Sequence, residues 1–124
     1  MTIIFSFSNP LNVFAIHISK PIPYLKKTEF LSNETIDLQG WIKYDREHAS
    51  DVWVQVSLEK QLNTLTSKNV TSNANGNFSA TLSIPDGTED GNYTVSVLSP
   101  CQKIHDNICI NQLEEIPITI KNSE

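Results

Sequence analysis

The stretch that decides the fold runs from Val70 to Leu98, V-T-S-N-A-N-G-N-F-S-A-T-L-S-I-P-D-G-T-E-D-G-N-Y-T-V-S-V-L. Phe78, Ala80, Leu82 and Ile84 alternate with Ser79, Thr81 and Ser83. An extended chain turns successive side chains to opposite faces, so this period of two predicts a strand with one apolar face. Asn75-Gly76 lies just before it and reads as a hairpin turn, because a type I′ turn needs positive φ at both central residues. Pro85-Asp86-Gly87 ends the strand, since proline has no N–H to give a central ladder. Gly91-Asn92-Tyr93 opens a second strand, with Tyr93, Val95 and Val97 on one face.

The same pattern extends in both directions. Ile36, Leu38, Ile42 and Tyr44 share a face, with Gly40 in line between them and Trp41 pointing the other way. A glycine inside a strand marks a bulge or a close backbone approach. Val52, Val54, Val56 and Leu58 form a further apolar face, with Trp53 opposite. Leu62 to Val70 reads as a weaker edge strand, and Ile116, Ile118 and Ile120 mark the last strand. Pro21-Ile22-Pro23 enforces an extended course that suits an edge strand or a linker. Tyr24 to Asn33 is polar and irregular, and Asp45 to Asp51 is a charged loop containing His48. No stretch keeps a helical period, and there is no internal repeat. The expectation is an all-β chain, an immunoglobulin-like antiparallel β-sandwich of about seven short strands, built over residues 20–121 with a polar tail at 122–124.

Composition narrows the function classes. A chain of 124 residues is one domain, large enough to bury its own core. The net charge is −5, and lysine and arginine never cluster beyond Lys26-Lys27. A nucleic-acid reader needs a basic face, so nucleic acid is not expected as a partner. Residues 1–19 carry no Asp, Glu, Lys or Arg. They read as a signal-peptide remnant with Val13-Phe14-Ala15 at its cleavage site, or alternatively as an edge strand; Asn9-Pro10 interrupts the run, and no positive n-region precedes it. The apolar run is too short to span a bilayer.

Taken together, Glu34 to Ile42, the Val52-x-Val54-x-Val56 strand, the Thr71 to Pro85 segment with its N-G-N-F core, and Gly91-Asn92-Tyr93-Thr94-Val95 resemble bacterial and archaeal immunoglobulin-like domains. The nearest similarity is to macroglobulin MG2-like surface modules, over about residues 22 to 121. That resemblance implies a sandwich used for spacing, adhesion or binding at a cell surface, with no catalysis. It also implies a tyrosine corner at Tyr93, two residues before the inward Val95. The inter-sheet cysteine pair of antibody domains is missing, and Val54 or Val56 and Val95 stand as apolar core instead.

The candidate sites follow from residue types. Cys101 and Cys109 flank Gln102 to Ile108 in the long final connection and form a disulfide if the compartment is oxidising. Such a small loop closure is worth about 2–3 kcal/mol in the chain-entropy model. His105 in that loop, with Trp41 and Trp53, makes a candidate ligand surface; if the two tryptophan strands pair, the rings form one aromatic platform for a sugar. The alternative is that loops or the incoming segment around Pro23 and Tyr24 cover both rings. A cupredoxin-like copper site would use His48, Cys101 and His105 with Gln112 as axial oxygen, but Cys109 competes for Cys101. Zinc on Cys101, His105 and Cys109 lacks a fourth ligand. Asp86, Glu89 and Asp90 could offer oxygens to calcium, although a solvated loop is the plainer reading. Asn33, Asn69, Asn77 and Asn92 open N-x-[ST] sequons. The combined expectation is a secreted or surface-exposed binding module with a protein or glycan partner, no cofactor and no enzyme activity.

Overall fold

In the computed structural model, which describes residues 19–44, 46–99 and 112–122, the alternating segments become nine strands and no helix. They are β1 (Ser19–Leu25), β2 (Glu29–Leu31), β3 (Thr35–Tyr44), β4 (Glu47–His48), β5 (Trp53–Lys60), β6 (Asn63–Thr71), β7 (Asn77–Ser83), β8 (Gly91–Ser99) and β9 (Gln112–Lys121). Setting aside the three-residue β2 and the two-residue β4 leaves the seven long strands expected of the sandwich. One sheet has β3 at its centre, with β1 on one edge and β7 and β4 on the other. The second runs β2-β9-β8-β5-β6. All pairings are antiparallel except β2 with β9.

The core is what the alternation demands. Ile36, Leu38 and Ile42 on β3 and Phe78, Ala80 and Leu82 on β7 are buried with Val54, Val56 and Leu58 of β5 and Val95 and Val97 of β8. Ile118 and Ile120 of β9 complete the inner face. Fully burying such a side chain stabilises by about 1.5–3 kcal/mol, so these rows fix which strands face each other. Gly40 is the close approach that its position in a strand implies. A Cβ there would lie 2.6 Å from the Ile22 carbonyl oxygen and 2.7 Å from the Phe78 ring. Gly40 and Phe78 are direct cross-strand partners, so the ring takes the space the glycine leaves.

Both prolines of β1 sit on an edge strand paired only with β3 along the sheet path, where a missing N–H costs least. Pro117 lies inside β9, at a position bonded to β8 alone, because β2 pairs only with residues 119–121. The Tyr24–Asn33 segment is more ordered than its polarity suggests. Phe30 is buried, and β2 docks parallel to β9. The turn after β2 closes when Leu31 N–H donates to Glu34 Oε1 at 2.7 Å. That bond first, and the Lys27 ammonium second, hold the Glu34 carboxyl below the usual glutamate range.

Two turns differ from the sequence reading. Asn75-Gly76 is not a type I′ hairpin: Gly76 has φ +81°, but Asn75 is not among the residues with positive φ. Gly76 N–H donates to the Asn73 carbonyl at 2.9 Å, and Asn73 Oδ1 accepts from Asn75 and Asn77 N–H. This is the pattern of a type I turn followed by a left-handed glycine. It carries the chain from β6 in one sheet to β7 in the other. The two-residue hairpin lies earlier, at Gln61-Leu62 between β5 and β6, where Lys60 pairs with Asn63. Gln61 (φ 50°) and Leu62 (φ 72°) both take positive φ, and Leu62 is 95% exposed. Neither central position holds the glycine or asparagine that positive φ favours. The tyrosine corner is present, with Tyr93 Oη donating to the Glu89 carbonyl at 2.7 Å.

Two consequences can be measured. Gly40→Ala should lower stability by about 2–3 kcal/mol in urea unfolding, because backbone and ring would both have to move. Replacing Gln61-Leu62 by Asn-Gly should raise it by about 1–2 kcal/mol, by relieving two side chains held in the left-handed region.

Candidate ligand-binding face

Because Ile36, Leu38 and Ile42 point inward, β3 turns Asp37, Gln39, Trp41 and Lys43 to the outside of its sheet. The register then builds two rows across that face. Ile22 of β1 and Asn77 of β7 flank Trp41, while Tyr24 and Ser79 flank Gln39. On the β7 edge, β4 sets His48 opposite Lys43, diagonal to Trp41. Their rings stack at 4.1 Å between centroids and 16° between planes. Gly76 makes room for this arrangement: a Cβ there would come within 2.6 Å of His48 Cβ.

The face carries shallow, open depressions. A groove of about 920 Å³ is lined by Ile22, Tyr24, Gln39, Trp41, Asn77 and Ser79, with β6 and the 73–76 turn at its side. A second depression of about 380 Å³ shares Tyr24, Gln39 and Ser79 and continues toward Lys26, Lys27, Asp37 and Thr81. Its charges are partly engaged within the chain. Lys27 Nζ lies 2.9 Å from Glu34 Oε2, and Asp37 Oδ1 accepts from Thr81 Oγ1 at 3.0 Å. The Trp41 end presents rings, amides and hydroxyls, with no acid or base among its lining residues.

The two tryptophans do not form a joint platform. β3 and β5 belong to different sheets, so Trp41 and Trp53 lie on opposite sides of the sandwich. The inner faces of both strands are filled with aliphatic side chains, which forces each ring outward on its own sheet. Tyr24, 60% exposed, takes the place beside Trp41 that the sequence reading gave to Trp53. The legible signal was Pro21-Ile22-Pro23-Tyr24: once this is an edge strand, Ile22 and Tyr24 must share a face.

His48 stands on this same face, stacked on Trp41. Cys101, Cys109 and His105 lie outside the described residues, and Gln112 opens β9. Asp86, Glu89 and Asp90 are exposed, and among the described residues no three His, Cys, Asp or Glu side chains gather as a metal site. Asp90 Oδ1 instead accepts from Asn122 N–H, tying the acidic turn to the end of β9. Asn33, Asn69, Asn77 and Asn92 are all exposed. No helix among the described residues is long and apolar enough to cross a membrane.

No protein family matches the chain, and no curated protein is similar to it. Among solved structures, a β-glucosidase from Listeria innocua in complex with glucose aligns with 83% of this chain and 16% of its own, at 14% identity and a TM-score of 0.48. An engineered protein aligns with 96% of this chain and 22% of its own, at 10% identity and a TM-score of 0.44. This chain therefore spans less than a quarter of the length of either structure.

The stacked pair is open to test. His48→Ala should cost about 0.5–1.5 kcal/mol of stability. It should also make Trp41 more accessible to acrylamide quenching, with Trp53 replaced by phenylalanine to isolate the signal.

Proposed function

We propose that this chain is a non-catalytic immunoglobulin-like module, exported from the cytoplasm, which binds or adheres to a protein or glycan at the cell surface through the outer face of the β1-β3-β7 sheet. The observation that carries this reading is the set Ile22, Tyr24 and Trp41 gathered on one outer face. Tyr24 is exposed and Ile22 and Trp41 are half-buried on the solvent side of the sheet, where they add nothing to the core and leave a small apolar surface open to a ligand. The neighbouring Gln39, Asn77 and Ser79 supply amides and hydroxyls that hold a ligand in orientation rather than transform it. The groove favours binding over simple spacing. Export is supported by the uncharged first nineteen residues, the cysteine pair at 101 and 109, and four sequons whose asparagines are all exposed.

The test is direct. Fluorescently labelled protein should bind intact cells or the isolated envelope of its source. Tyr24→Ala should weaken that binding at least about tenfold, a loss near 1.4 kcal/mol. Tyr24 is largely exposed, so the fold should survive the change, and circular dichroism will check it. Undiminished binding by the variant would place the contact elsewhere.

A further inference from the structure

We infer that the groove beside Trp41 is a subsite for an uncharged oligosaccharide, an inference that rests on this outer face being the contact surface. A pyranose ring has apolar C–H faces and a rim of hydroxyl groups. It needs a flat aromatic surface beneath it and short polar groups at its edge. The groove offers Tyr24, the half-exposed Trp41 ring with one face taken by His48, and short polar groups beside them. Trp41 and Tyr24 are diagonal neighbours across the β1–β3 pair, within the reach of large side chains. Gln39 is the direct cross-strand partner of Tyr24, two residues along β3 from Trp41, and Asn77 and Ser79 stand on the far side, each able to donate to or accept from a hydroxyl. The Trp41 ring is already held by His48, so little side-chain freedom remains to be lost on binding.

The shape extends the argument beyond one sugar unit. The two depressions meet along Tyr24, Gln39 and Ser79, giving a path along the β3–β7 pair from Trp41 toward Thr81. An elongated, shallow, polar-rimmed path suits a chain of sugars better than a compact metabolite. Competing ligands fit less well. The groove's own lining carries no charged side chain, and Lys43 stands beyond it on the same face, two residues along β3 from Trp41. Ile22, Trp41 and Tyr24 form one short apolar cluster with amides and hydroxyls beside it, too short for the repeated i, i+3, i+4, i+7 anchors of an amphipathic helix. Asn77, the direct cross-strand partner of Trp41, is also a sequon asparagine. A glycan attached there would start inside the groove and compete for it, so the protein for the test is produced without N-glycosylation.

The experiment uses the full chain with Trp53→Phe, leaving Trp41 as the fluorescent reporter. It is titrated with cellohexaose, mannohexaose and chitohexaose, and amide shifts of the unsubstituted protein are followed by NMR in parallel. The expected result is a saturable response to at least one of these, localised to β1, β3 and β7. Tyr24→Ala should weaken it about tenfold, and Leu113→Ala on the other sheet should leave it unchanged. Silence toward all three sugars overturns the oligosaccharide inference. If Tyr24-dependent binding to the envelope persists in that case, the surface reading stands and the ligand is of another class. If that binding is absent too, both readings fall.

Discussion

Two sheets must share one dry space, and every long strand is obliged to deliver alternate side chains into it. That obligation sets the register as well as the architecture. A slip of one residue in β7 would turn Phe78, Ala80 and Leu82 to water and bring Ser79, Thr81 and Ser83 inside. The fit is finer than polarity alone. Phe78 reaches across to the place where Gly40 has no side chain, and the close approach of β1 and β7 to β3 from both edges leaves no room there for a Cβ.

The chain has to pass between the sheets, and polar side chains bind the crossings. Ser72 is buried at the end of β6, where its hydroxyl donates to the Ala49 carbonyl and accepts from Val52 N–H. Asn73 closes the following turn through its side-chain carbonyl. At the β7–β8 crossing, Thr88 donates to the Pro85 carbonyl and Tyr93 to that of Glu89. Each of these bonds satisfies a backbone group that the ladders cannot reach, which is why short polar residues recur where the strands stop.

The outer face follows from the inner one. With alternate positions of β3 committed to the core, the remaining positions form a second surface whose spacing is fixed by the same ladder. Strands hold side chains more rigidly than loops do, and a ring stacked on a neighbour is held more rigidly still. The neutral lining near Trp41 and the engaged charges near Lys27 and Asp37 divide that surface into chemically distinct ends. Its opposite number, the outer face of the five-stranded sheet, carries Trp53 without Trp41 beside it.

The amino-acid order by itself determined the long strands and their inward faces; it left the proline segment as an edge strand or a linker, and the tyrosine corner was an implication of the family resemblance. The strands and their faces depend on periods of two and on residues with fixed local geometry. Phe30 and β2 escaped it because three residues carry no period, and β2 forms only where β9 offers an edge. The Gln61-Leu62 turn escaped because its positive φ values are imposed by the pairing of β5 with β6 and not by the preferences of its residues. Which aromatic rings share a face was beyond the sequence as well. Alternation says only that a ring points away from the core of its own strand, and the assignment of β3 and β5 to separate sheets decided that Trp41 would meet Tyr24 and His48 instead of Trp53.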